Sequence, residues 1–297
     1  MRLRQLIVRW QTLAFAILLS VAAIPVTVHA VVVPTDPGDY VPLPAGTNLG
    51  VLYYQHAHSD RLNVSGDAAP IPFRLNTDIG IARYVRYLDV FGMTADAQVV
   101  VPFGSVRQSE PTAVDASGAG DPLLGAVLWV LNQPNAGRYL AFGGFLGVPV
   151  GSYNAQRGAI NIGENRWKGV LHVSYGQSLI GPLAMDVTGE FAVYGRNGDF
   201  AGQAYKQDPT FGIQAHLRYP VLPSTTLGVS YIQTLGGRGN IGGTDLNDRI
   251  NTSRYLITAQ QFLTKTVQAQ AQFGQDIHVS NGPKEQYRVN LRLVKIF

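Results

Sequence analysis

The chain has 297 residues, no cysteine, 23 basic and 19 acidic side chains, and 46% hydrophobic residues against only 14% charged. The lack of cysteine excludes a disulfide framework and thiolate metal sites. Three of the basic residues, Arg2, Arg4 and Arg9, fall at the N-terminus; without them the balance is 23 − 3 = 20 bases against 19 acids, which argues against nucleic acid as a partner.

Residues 1 to 30 have the three parts of a secretory signal peptide: the basic start, an apolar run from Leu13 to Ile24, and Pro25 followed by Val28-His29-Ala30 as a cleavage site. The run is shorter than the roughly 20 residues a spanning helix requires, so it is expected to be removed rather than to anchor the chain. Residues 31 to 45 then carry Pro34, Pro37, Pro42 and Pro44 among Val31, Val32, Val33, Tyr40, Val41 and Leu43. Four prolines forbid a helix or an interior strand. The segment reads as an extended arm with apolar side chains to bury.

From residue 46 to 297 one unit repeats: about ten residues of alternating polarity, then a break rich in Gly, Asn, Asp or Pro, as transmembrane strands require. Twelve such segments are predicted, at 47–58, 73–86, 90–102, 122–131, 138–150, 166–179, 183–195, 209–219, 225–235, 252–263, 266–277 and 286–297. Long breaks at 59–72, 103–121, 151–165, 196–208, 236–251 and 278–285 alternate with short ones at Leu88-Asp89, Asn132 to Gly137, Ile180 to Pro182, Pro220 to Ser224 and Thr264-Lys265. An even strand number and this loop asymmetry predict an all-β fold, a transmembrane antiparallel β-barrel of the bacterial outer membrane, with the long loops outside. A soluble β-sandwich would hide alternating faces equally well, but would not explain the signal peptide or the loop pattern.

Successive strand side chains point to opposite faces. In 266–277, Val267, Ala269, Ala271 and Phe273 are expected to meet lipid, and Gln268, Gln270, Gln272 and Asp276 to point inward. The last segment separates Tyr287, Val289, Leu291, Leu293 and Phe297 from Arg288, Asn290 and Arg292. Its terminal Phe297 resembles the signature that outer-membrane barrels present to the barrel-assembly machinery.

The segments 38–62 (GDYVPLPAGTNLGVLYYQHAHSDRL), 118–130 (GAGDPLLGAVLWV), 149–169 (PVGSYNAQRGAINIGENRWKG), 208–219 (DPTFGIQAHLRY) and 290–297 (NLRLVKIF) resemble the family described as "Putative MetA-pathway of phenol degradation". The resemblance runs over nearly all of the chain after residue 30. It implies an outer-membrane transporter associated with breakdown of aromatic or other organic compounds, hence uptake and not catalysis. It names no residue that contacts a substrate.

The candidate polar lining of the lumen is read from the alternation alone. Asp186 and Glu190 are expected across from Gln214, His216 and Arg218, and Gln272 and Asp276 near Arg288 and Arg292; Asp78 and Asp96 have no evident basic neighbour. Such a ladder either sorts solutes or braces the wall, and the two roles are compatible. Segments 122–131 and 139–150 are apolar on both faces, which leaves one sector of the lumen greasy. The Pro-rich arm is expected to sit against that sector, inside the barrel, as a plug. His56 and His58, with Asp60 beyond, have a spacing a metal could use, but no third ligand is evident and no metal site is assigned. His278-x-Ser280-Asn281 is similar to the His-x-Ser-Asn element of lipid A deacylases; the supporting acid is unassigned, Glu285 being only a candidate, and Asn281-Gly282 also reads as a turn. The function expected is a channel that lets small hydrophobic or aromatic organic solutes cross by diffusion, with outer-membrane lipid around it and no cofactor. A lipid hydrolase built on His278 and Ser280 and a purely structural barrel are the alternatives.

Overall fold

The computed structural model describes residues 34–297. The signal peptide read at 1 to 30 and the first three residues of the arm lie outside them. Twelve strands form the barrel: β1 (Asn48–Val64), β2 (Arg74–Val90), β3 (Met93–Glu110), β4 (Leu123–Gln133), β5 (Arg138–Gly147), β6 (Lys168–Ser178), β7 (Ala184–Tyr194), β8 (Thr210–Leu222), β9 (Thr225–Gly236), β10 (Ile250–Thr264), β11 (Val267–Val279) and β12 (Gly282–Ile296). Each runs antiparallel to its neighbour in sequence, and β12 pairs with β1 from Leu49↔Ile296 to Asn63↔Gly282, which closes the sheet into a barrel. Closure is what lets a sheet rest in hydrocarbon, where unpaired N–H and C=O groups have no water to bind.

The alternation in sequence becomes an outside and an inside. Leu52, Leu124, Leu171, Phe211, Ile257 and Phe273 are exposed on the outer surface, whereas Gln214, His216, Ser230, Thr258 and Gln272 are buried within. On β4, Leu124 and Val130 face out, and Leu123, Val127 and Trp129 face the lumen. The lumen is thus filled with polar groups on most of its circumference and apolar ones over β2 to β6.

Several boundaries differ from the sequence reading. The first short turn is Phe91-Gly92, not Leu88-Asp89: both residues adopt positive φ (53° and 79°), as a two-residue hairpin turn demands, and the Gly92 amide donates to the Asp89 carboxylate. Likewise the last short turn is Lys265-Thr266, since Thr264 pairs with Val267. The expected outer loop at 278–285 is no loop; only Ser280 and Asn281 separate β11 from β12. Two other outer loops fold together, as the strands Gln203–Gln207 and Gly239–Ile241 pair in a small four-stranded sheet.

Candidate functional site

The lumen is occupied from below by the arm. It starts at the rim, where the Gly46 amide donates to the Tyr87 carbonyl, and rises through the barrel to Pro34. Its prolines deny it a ladder, and where an extended arm was expected residues 37–40 are turned, the Asp39 amide donating to the Asp36 carbonyl (3.0 Å) and the Val41 amide to the Gly38 carbonyl (3.0 Å). Other backbone groups find partners on lumen side chains. The Gly38 amide donates to Asp186 (2.9 Å), the Thr35 amide to Gln214 (2.9 Å), and Gln260 donates to the Pro37 carbonyl (3.0 Å). Arg292 binds Asp36 (2.8 Å) and Asp39 (2.7 Å), with Arg83 3.6 Å from Asp39. On the apolar sector, Trp129 donates its indole N–H to the Tyr40 carbonyl (2.8 Å), and Val41 and Leu43 pack on the same cluster.

Two histidines clasp the arm. Glu190 accepts from His172 Nε2 (2.9 Å), which leaves Nδ1 to accept from the Tyr40 hydroxyl (2.6 Å). The Thr35 hydroxyl donates to Gln214, so His216 Nε2 donates to it (2.8 Å) and His216 Nδ1 accepts from Ser230 (2.8 Å). These tautomers follow from the hydrogen-bond network. His172, His216 and Gln214 are each only 1% exposed, although they face the lumen of a barrel of this width. At the level of the arm the lumen is therefore filled.

Above the arm lies a cavity of about 230 Å³. Pro34 and Gln214 form its floor, and Asn161, Ile162, Glu164 and Arg166 of the loop between β5 and β6 its roof. One wall is apolar, with Leu75, Ile79, Pro102, Val106 and Leu123 from β2 to β4; the other is charged, with Arg254, Asp276, Glu285 and Arg288 from β10 to β12. The roof is fastened in two ways. Ile160 and Ile162 bury themselves among Leu62, Phe73, Leu75, Val106 and Ala116. Asp121 accepts from the Gly151 amide (2.8 Å) and the Glu164 amide (2.6 Å). Burial works to raise the Glu164 carboxyl, but Lys168 (3.0 Å) and Arg166 (2.6 Å) outweigh it and hold it at about 2. Burial also pushes the Asp121 carboxyl up.

Of the polar residues expected in the lumen, Asp186 pairs with Arg218 (2.9 Å) and Glu190 with His172. Gln272 donates to Asp36 and accepts from Asn290. Asp96 accepts from Gln98 (3.0 Å), which in turn accepts from Arg83 (2.8 Å). Asp78 is a correction. Thr77, Ile79, Ile81, Arg83 and Val85 face inward, so Asp78 faces out, bonded to Tyr54 (2.7 Å) and His56 (2.8 Å). The pairing of Asp276 with Arg288 is a second correction. A bulge at Ile277 resets the register and brings Asp276 to Arg254 (3.0 Å), while Arg288 is bound by Glu285 (2.5 Å) and Arg292 by the arm. Asp36, Asp39, Arg83, Arg254 and His172 were not singled out by the alternation, which assigns faces but not partners.

His56 and His58 point outward against Tyr287, and among the described residues no three His, Cys, Asp or Glu side chains come together as a metal site. His278 lies 3.0 Å from Ser280 on the exposed outer rim. Glu285, the candidate acid, forms ion pairs with Arg254 and Arg288.

The structure resembles the crystal structure of an outer membrane channel from Pseudomonas putida F1, with 38% identity, a TM-score of 0.84, and coverage of 89% of this chain and all of that one. It also resembles the beta domain of a Bordetella autotransporter (11% identity, TM-score 0.53, 86% and 100% covered), a likeness of fold alone. No curated protein matches. The model of the family described as "Putative MetA-pathway of phenol degradation" matches residues 59–293, and the chain, an outer-membrane β-barrel channel, belongs to that family.

Proposed function

We propose that the protein passes small hydrophobic or aromatic organic molecules across the outer membrane by diffusion, with residues 34–46 as a displaceable plug. The observation that carries this reading is the chamber above the arm. Its volume of about 230 Å³ exceeds the roughly 150 Å³ in which a protein cavity holds benzene, and falls short of the ~300 Å³ at which pockets for drug-sized ligands begin. Its apolar wall offers an aromatic ring a dry surface; the opposite wall offers donors and acceptors to a hydroxyl. The four charges of that wall, Arg254, Arg288, Asp276 and Glu285, sum to zero, which favours neutral solutes over ions.

The arm supports the second half of the reading. It is held by hydrogen bonds and ion pairs without a backbone ladder, so it can leave without unpairing the barrel. The test is uptake of phenol by cells whose outer membrane contains or lacks the protein, with intracellular conversion trapping what enters. Ile79→Trp, which fills the chamber from its apolar wall, should cut the protein-dependent uptake at least fivefold while the barrel inserts normally. Equal uptake with and without the protein would refute the reading.

A further inference from the structure

One row of inward side chains crosses five neighbouring strands. The pairs Thr258↔Gln272, Gln272↔Asn290, Gln55↔Asn290 and Gln55↔Ile79 carry it from β10 through β11, β12 and β1 to β2. Its last three members, Asn290, Gln55 and Ile79, line the chamber above the arm. The row therefore turns from polar to apolar where it meets the chamber.

Its amides are oriented by neighbours that have only one role to play. The Asp36 carboxylate accepts from Gln272 Nε2 (2.8 Å), so Gln272 Oε1 is the atom to which Asn290 Nδ2 donates (2.9 Å). The Asn290 carbonyl oxygen is left over. It is buried, in a residue 6% exposed, and has no hydrogen-bond partner among the described residues. On the other side Arg288, which can only donate, reaches Gln55 Oε1 at 3.4 Å. Gln55 Nε2 is thereby turned away from Arg288 and has no partner among the described residues either. Buried acceptors are nearly always paired, because an unpaired one loses its hydration and gains nothing in return. Here an idle acceptor and an idle donor stand opposite each other on β12 and β1, beside a cavity.

We propose that Asn290 and Gln55 form a recognition site for the hydroxyl group of an aromatic solute. The hydroxyl donates to Asn290 Oδ1 and accepts from Gln55 Nε2, while the ring lies against Ile79 and the apolar wall beyond it. The proposal rests on the reading of the chamber as part of the solute path. Opposite residues of an antiparallel pair have Cβ atoms about 4.5–5.5 Å apart. Two hydrogen bonds of about 2.8 Å that meet at one oxygen span that distance. Gln55 is free to turn toward the solute, since 3.4 Å is near the limit of a hydrogen bond and Arg288 keeps its ion pair with Glu285. The pair also discriminates. A hydroxyl both donates and accepts and so satisfies both amides. An ether oxygen only accepts, a methyl group does neither, and an oxyanion has no proton to give to Asn290.

The test measures binding and not transport. Phenol, anisole and toluene share one ring and differ in donor and acceptor, and calorimetry reads their binding to the barrel with its arm in nanodiscs, with empty nanodiscs subtracted. Asn290→Leu should weaken phenol at least fivefold and leave anisole and toluene bound at least as tightly as before. Gln55→Met should weaken phenol and anisole alike and leave toluene within twofold; it breaks only the 3.4 Å contact, so the barrel keeps its fold even if Asn290→Leu does not. Phenol binding unchanged in Gln55→Met, or toluene weakened as much as phenol, would overturn the recognition site. Ile79→Trp separates this failure from failure of the chamber reading. If it abolishes binding of all three solutes while Gln55→Met spares phenol, the chamber stands and the amide pair falls. If no solute binds, or binding survives Ile79→Trp, both fall.

Discussion

Arg292 is the side chain on which the arm depends most, and Arg292→Met isolates its role. Arg292 and Asp36 are 7% and 8% exposed, so the weak, screened value of a surface ion pair does not apply. Removing one partner of a buried pair costs about 3–5 kcal/mol, because the other charge stays behind. Asp39 retains Arg83 at 3.6 Å, whereas Asp36 has no second cation within ion-pair distance among the described residues. A ceiling follows from protonation: neutralising a carboxyl of ordinary pKa about 3.9 at pH 7 costs about 4 kcal/mol, at 1.36 kcal/mol per unit. The docked arm should therefore lose about 3–4 kcal/mol, a factor of several hundred in its equilibrium with the undocked state. Hydrogen exchange at the Thr35 and Gly38 amides, which donate to Gln214 and Asp186, should accelerate by that factor, and single-channel conductance should rise. At pH 5 the ceiling falls to about 1.5 kcal/mol, so the defect should shrink as pH falls, and Asp36→Asn should rescue it. Unchanged exchange at Gly38 in a folded Arg292→Met barrel would refute the reasoning.

Deleting Pro34 to Pro44 should raise conductance further than Arg292→Met does, and a folded barrel of unchanged conductance would show that the arm does not limit the path. The roof should loosen in acid: the Glu164 carboxyl, depressed from 4.5 to about 2, contributes stability that is present above pH 4.5 and is lost as pH falls toward 2. Pepsin cleavage within 154–162 should rise across that interval, and in Glu164→Gln the step should disappear. Deleting Phe297, whose backbone exchanges hydrogen bonds with Asn48 at the closing seam, should slow insertion and leave aggregated chain, read as loss of the heat-modifiable band on gels. A cysteine at Ser117 should label on intact cells with an impermeant maleimide and one at Ala136 should not; the reverse pattern would invert the barrel in the membrane.

The architecture was legible because it is repetitive and local. Strand periodicity and turn residues are properties of about ten neighbouring residues, so twelve strands, their antiparallel order and the two faces of β11 and β12 could be read from alternation and breaks. A chain that must satisfy every backbone group inside a membrane has few other ways to fold. Alternation could not supply register beyond each bulge or contact beyond each hairpin. The bulge at Ile277 moved Asp276 from Arg288 to Arg254, and the phase of β2, set by Ile79, Ile81 and Val85 seeking the lumen core, turned Asp78 outward. The partners of Arg292 lie 253 and 256 residues away in the arm, a separation at which no spacing in the sequence carries information. The ends of β11 and β12 beyond the Gly274↔Arg288 pair, where the two strands no longer pair with each other, read in sequence as a polar loop, because Ser280, Asn281 and Gly282 look like one. Only the tertiary structure, in which each strand is held by its other neighbour, reveals them as two strands standing apart.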